Sequence, residues 1–310
     1  MDLLDVIRKQ IDRLSEGSHS VGLRSVLRHI EAAYRHLSRG QTQQDDSAFT
    51  DAIYRTNQAF EGSIKEAFRI LAAKDPESTT IYQIEKYLDK HKIFRDRVLA
   101  QFTNYRTQWR NPSTHDYNLD FDEDEAFLAI VSVSAFAKLL VDQISEHLSF
   151  VATKKDVEAH KPLAKVTTNT SAGLAERIIE IIRAFLRRYA AVPIESEAQL
   201  IGALAGFLSV VAPDIRYSVD RMLPESRTFR VDMVIENENE QVLIELKRGH
   251  SRRLIDYGIH QLQLYMRAAN AVGGILFLYS PKTIDYQIET RKSSEGKGNI
   301  FILRPTSADP

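Results

Sequence analysis

Cysteine is missing from all 310 residues, which excludes disulfides, thiolate zinc sites, iron–sulfur clusters and cysteine nucleophiles together. Any chemistry falls to oxygen and nitrogen groups. A dominant charge is missing too: 41 Lys and Arg against 42 Asp and Glu leave a net charge of −1, and a division near residue 170 leaves both parts close to neutral. No global positive field marks a nucleic-acid binder, so a polyanion would have to be gripped by a local patch. Glycine and proline number only 13 and 9, far from collagen-like or low-complexity composition. No run approaches 18 uncharged apolar residues, and the opening MDLLDVIRKQIDRL scatters acids and bases among its apolar positions, unlike a leader or a membrane span. A cytoplasmic protein with no membrane partner is expected.

What is present is a globular composition, 43% hydrophobic and 27% charged, on a chain longer than one core comfortably fills, so two domains are expected. Residues 1–152 read as helix. Apolar residues recur at Phe60, Ile64, Ala67, Phe68 and Leu71, and again at Phe94, Val98, Phe102, Tyr105 and Trp109, the spacing of one helical face. Asp122 followed by Glu125 forms a capping-box-like start for a long apolar helix to about Leu148. Shorter helices are expected over 2–14, 22–39 and 80–90, with Gly17, Gly40 and the run GQTQQDD marking breaks. The polar, Thr- and Lys-rich stretch 153–172 suits a linker. Beyond it two amphipathic helices, 173–192 and 196–212, precede a switch to period two in IRYSVDRM, FRVDMVIEN and QVLIELK; a helix over 254–270 and the strand GGILFLYS follow. An all-helical bundle followed by an α/β domain, 173–310, is the expected architecture.

A hairpin of FRVDMVIENENEQVLIELK turning about Glu238 and Asn239 pairs residues whose numbers sum to 477, which sets Asp232 opposite Glu245 with Lys247 on the same face. Phe229, Val231, Met233, Ile235, Val242, Ile244 and Leu246 take the other, apolar face. Two facing carboxylates repel, so a cation between them is expected, and a divalent metal held by oxygens fits. Such a metal would bind a phosphate and acidify a water, with Lys247 orienting that water or neutralising the transition state. The plain alternative is a solvated strand face whose charges pair as weak salt bridges.

The pattern Asp232…Glu245-Leu246-Lys247 resembles the PD-(D/E)XK nuclease superfamily, whose αβββαβ order matches residues 173–281. The resemblance implies metal-dependent phosphodiester hydrolysis with Mg²⁺ or Mn²⁺ on Asp232 and Glu245. Glu197, at the start of the helix before the first strand, matches the helical glutamate that many members add to the metal site; otherwise it is a first-turn acid favoured by the helix dipole. Gln261 and Tyr265 match the QxxxY element of RecB-like members, although Tyr265 also suits a core position. Val231 stands where the family name has proline. Arg248, Arg252 and Arg253, with His250, form a basic patch beside the triplet, either a phosphate clamp for nucleic acid or solvated loop charge.

In the helical part, RNPSTH places Arg110 at a helix end, with Pro112 expected to stop the helix and His115 in the turn after it. An Arg for phosphate and a His for proton transfer suffice for metal-free RNA cleavage through the 2′-hydroxyl; the plain alternative is a helix-end Arg and a capping His. The motif between two long helices is similar to HEPN domains, here over residues 47–150. That resemblance implies a homodimer through this domain, Arg110 and His115 as catalytic pair and Asn111 as their polar support. The two resemblances together give the first expectation, a nuclease acting on DNA and dimerised by its helical domain, of a kind frequent in prokaryotic antiphage defence. A metal-independent ribonuclease effector whose second domain only binds nucleic acid is the alternative, and a non-catalytic interaction protein the third.

Overall fold

Ten α-helices and six strands stand in the described residues of the computed structural model, which are 3–14, 17–115, 119–160, 173–189, 195–223, 228–249, 251–280, 285–293 and 298–306. The chain divides into two compact units, Met1–Ser145 and Glu146–Pro310.

The first unit is helical: α1 (Leu3–Asp12), α2 (Ser18–Gln43), α3 (Ser47–Leu71), α4 (Ile81–Lys90), α5 (Asp96–Tyr105), a π turn (Arg106–Arg110), α6 (Asn111–His115) and the beginning of α7 (Glu123–Ala159). The apolar stripes meet where the sequence puts them. Phe60 of α3 lies at 5.5 Å from Phe102, 4.6 Å from Tyr105 and 5.3 Å from Phe136, ring centre to ring centre, with all four side chains fully buried. Aromatic pairs at such distances add to the stabilisation from burial alone. Gly40 does not interrupt α2, contrary to expectation. Its missing side chain makes room for Phe49, since a Cβ there would stand 2.4 Å from the ring. The start of α7 is the expected capping box: the Glu125 N–H donates to Asp122 Oδ1 (2.8 Å) and the Asp122 N–H to Glu125 Oε2 (3.0 Å).

α7 then runs past Leu148 to Ala159, through the opening of the stretch that composition assigns to a linker. Within the second unit Val157 is a core residue with Phe150 partly buried against the same cluster, and Thr153 is buried as well; the surrounding Thr and Lys residues mask these positions in the sequence. Residues 161–172 lie outside the described ones. Among these, α7 alone is long and apolar enough to cross a membrane, and half of its apolar window is buried in the fold.

The second unit carries α8 (Leu174–Tyr189), α9 (Glu197–Val211), β1 (Arg216–Met222), β2 (Arg230–Glu236), β3 (Gln241–Arg248), α10 (Arg252–Ala269), β4 (Gly273–Tyr279), β5 (Tyr286–Lys292) and β6 (Asn299–Pro305). The strands form one mixed sheet in the order β1-β2-β3-β4-β6-β5, with β3, β4 and β6 parallel and the other pairs antiparallel. β5 and β6 extend the expected αβββαβ order by a further hairpin and leave β1 and β5 at the edges. Both faces of the sheet are covered. Met233, Ile235, Val242, Ile244 and Leu246 pack with α8 and α9, while Val234, Leu243, Leu276 and Ile302 pack with Leu262, Tyr265 and Met266 of α10. Helix α9 approaches the backbone of α7 closely: a Cβ on Gly202 would fall 2.1 Å from the Glu146 carbonyl oxygen, and one on Gly206 2.5 Å from that of Phe150.

Candidate metal and phosphate site

The β2–β3 hairpin has the register read from its sequence. Met233 pairs with Ile244, Val234 with Leu243, Ile235 with Val242 and Glu236 with Gln241. Its turn is tied by Asn237 Oδ1, which accepts from the N–H groups of Asn239 (2.9 Å) and Glu240 (2.7 Å). The ladder ends at Met233 and Ile244, one step before Asp232 and Glu245. There the Asp232 carboxylate takes over from a strand carbonyl, its Oδ2 accepting from the Leu246 N–H at 2.7 Å.

Glu245 and Lys247 share the α10 side of the sheet with Leu243, since the parallel register sets them beside Leu276 and Leu278. The face is therefore apolar, not the solvated one that alternation suggests, and Glu245 is only 2% exposed. Lys247 pairs with its Oε1, and its Oε2 is buried with no hydrogen-bond partner. Burial first, and the charge of Asp232 second, push the Glu245 carboxyl up to about 7, against the pull of Lys247. For Lys247 burial is the largest influence and works against the charge, yet Glu245, Asp232 and Glu197 together hold its ammonium above the usual lysine range. A second face change accompanies Asp232: Val231 and Phe229 join the α10-side cluster with Val234, not the α8–α9 side expected from strict alternation. The alternation breaks at the aspartate, where the pair with β1 is missing and the ladder to β3 stops, and a strict period of two does not allow for such a break.

Because the folded protein binds the Glu245 proton more tightly than the unfolded chain does, the stability this group contributes is fully present below about pH 4.5 and is lost as pH rises through about 7. In metal-free buffer, Glu245→Gln is expected to remove that loss, on the order of a few kcal/mol. Thermal melts of both proteins from pH 4.5 to 8 check it; parallel curves would contradict the burial argument.

Glu197 opens α9, whose N-cap Ser196 accepts from the Gln199 N–H at 3.2 Å, and its charge reaches Lys247. Gln261 Nε2 donates to the Tyr265 hydroxyl at 2.8 Å, so the pair one helical turn apart does meet. Tyr265 is also core, nearly buried and tilted against Phe229 with ring centres 5.2 Å apart. Gln261 Oε1 is buried and without a partner. Arg248 ends β3, and after Gly249, whose φ is +104°, the chain turns into α10 with Arg252 and Arg253 exposed in its first turn. His250 lies outside the described residues.

Among the described residues no group of three or more His, Asp or Glu side chains is gathered to hold a metal ion. The pair itself nevertheless fits a divalent cation: a buried carboxylate oxygen with no partner, facing a second carboxylate, needs a proton or a cation to satisfy it.

The Arg110 region differs from expectation. Pro112 does not end the helix. The Asn111 N–H bonds the Arg106 carbonyl across a π turn, and α6 continues to His115, because a wide turn gives the proline ring space against the preceding carbonyls and leaves no donor required of it. Arg110 points among acids. Its Nη1 donates to Asn111 Oδ1 at 3.2 Å, its Nε lies 3.7 Å from Glu61 Oε1, and its charge acts on the buried Glu85. Burial raises Glu85 in spite of Arg110 and Arg106. Behind them, Asn57 bridges the Tyr105 hydroxyl (2.9 Å) and Ser113 Oγ (2.8 Å). Glu61, Glu85 and Asn57 escape a motif-based reading because they sit on other helices, with no spacing that links them to Arg110. The His115 side chain lies outside the described residues.

In comparisons with known proteins no family model matches the chain, and no curated protein and no solved structure does.

Proposed function

We propose that the second unit is a metal-dependent nuclease of PD-(D/E)XK type hydrolysing phosphodiester bonds, in DNA first of all. The observation that carries the reading is the buried, half-partnered Glu245 carboxylate on the strand next to that of Asp232, with Lys247 against it. A bound Mg²⁺ or Mn²⁺ supplies charge neutralisation at the phosphate and an acidified water. Asp232 and Glu245 hold the cation, with Glu197 adding negative charge from α9. Lys247, released from Glu245, faces the phosphate as a charge the transition state can use. Gln261 and Tyr265 present polar atoms from α10, and the exposed Arg248, Arg252 and Arg253 take the flanking backbone phosphates without reading sequence. Incubation of the purified protein with single-stranded DNA, duplex DNA and RNA, each with Mg²⁺ and with EDTA, tests the proposal; DNA left intact with Mg²⁺ sinks it.

The first unit supports a second reading, a HEPN-like metal-independent ribonuclease, through the half-buried Arg110 held by Asn111. EDTA-resistant RNA cleavage lost in His115→Ala but kept in Asp232→Ala is its expected signature, because the 2′-hydroxyl route needs no cation. We further propose that the chain is a homodimer through this unit. Phe127, Leu128 and Val131 of α7 are exposed on one helical face, an apolar strip that a second copy would cover. Light scattering is expected to give twice 35.3 kDa for the native chain and the monomer mass for Leu128→Asp. A monomeric native chain would remove this proposal.

A further inference from the structure

The β1–β2 ladder keeps one register from Arg216 opposite Glu236 to Met222 opposite Arg230, and the pair absent from it is Asp220 with Asp232. No residue is inserted, because the pairs on either side, Val219 with Met233 and Arg221 with Val231, stay in step. Asp220 has a φ of +51°, a left-handed backbone that non-glycine residues adopt at a cost and that Asp and Asn tolerate best. Arg230 clasps it twice. Its Nη1 donates to the Asp220 carbonyl oxygen at 2.6 Å and lies 3.1 Å from Asp220 Oδ2, both side chains being mostly buried. On the other side the β2–β3 ladder stops at Met233 and Ile244. Asp232 is thus where β2 parts from both neighbours at once, and its carboxylate is held by the Leu246 N–H.

We propose that the Asp220–Arg230 clasp is a positioning element for Asp232, fixing the parting of β1 from β2 so that the Asp232 carboxylate stands across from Glu245. Arg230 also pairs with the Asp220 carboxylate, so that charge on β1 is balanced where it stands. Only the metal readout of this inference rests on the nuclease reading; the hydrogen bond to Leu246 does not.

Hydrogen exchange of the Leu246 amide, read by NMR on the metal-free full chain, is the primary test, with the Mn²⁺ dissociation constant as the second. In Arg230→Gln, protection of the Leu246 amide is expected to fall about tenfold while Leu243 and Ile244 keep theirs, and Mn²⁺ is expected to bind about tenfold more weakly, as outer supports of metal ligands commonly do. Arg230→Lys should recover part of both. Asp220→Asn should lose less than Asp220→Ala, because Asn accepts the left-handed conformation. Unchanged Leu246 protection in folded Arg230→Gln overturns the proposal, as does a loss spread evenly along β2 and β3, which marks a merely structural role. If the native protein binds no Mn²⁺, the metal reading falls and the Leu246 amide alone decides the clasp.

Discussion

Asp232→Asn and Lys247→Ala are each expected to lower Mg²⁺-dependent DNA cleavage by about 10³-fold, the loss typical when a group that stabilises developing charge is removed. Glu245 lies within the apolar face under α10, so its truncation would confound catalysis with packing. Asp232→Asn keeps an oxygen for the Leu246 N–H, and the Lys247 side chain is 22% exposed, so neither should unfold the sheet. A companion measurement needs no substrate: Mn²⁺ should raise the melting temperature of the native chain more than that of Asp232→Asn, since a ligand stabilises only the state that binds it. Unchanged cleavage in Lys247→Ala would falsify the assignment.

Gly202→Val is expected to cost about 3 kcal/mol or more in the stability of the second unit, at the upper end of overpacking effects. The Cβ would fall 2.1 Å from the Glu146 carbonyl oxygen and 3.0 Å from its Cα. These are backbone atoms and have no rotamer into which to move, so α9 has to lift from α7. Gly62→Ala is the control, because its Cβ meets only the Cγ2 of Val26, at 3.1 Å, where a side chain gives way. Denaturant unfolding followed by circular dichroism measures both. With two compact units the transition need not be two-state, and Gly202→Val should shift only the part that belongs to residues 146–310. Equal effects of the two substitutions would contradict the close-approach argument.

Much of this architecture was legible in residue order. The sum rule about Glu238 and Asn239 is the register observed from Glu236 to Met233, because turn chemistry and alternating burial jointly exclude a one-residue slip. The Asp122–Glu125 box and the Phe60 stripe were equally plain, being local or periodic signals. What escaped was non-local. That Glu245 is enclosed depends on α10 lying over its face; strict alternation fails at Asp232, where β2 is unpaired with β1 and leaves the ladder to β3; and the helix through Pro112 depends on a π turn that has no sequence signature. β5 and β6 lie beyond the extent of the family resemblance, and β5 shows three charged residues in seven, the composition of an edge and not of a core strand.

That edge composition has its own consequence. The sheet ends on β1 and β5, and each carries charged side chains along its length: Arg216, Asp220 and Arg221 on one, Glu289, Arg291 and Lys292 on the other. The left-handed residue at Asp220 interrupts the regular extended run that a docking strand would have to copy. An open six-stranded sheet is thereby guarded at both ends against recruiting strands from neighbouring chains, so the molecule can be crowded in a cell without its exposed amides becoming a template for fibrils.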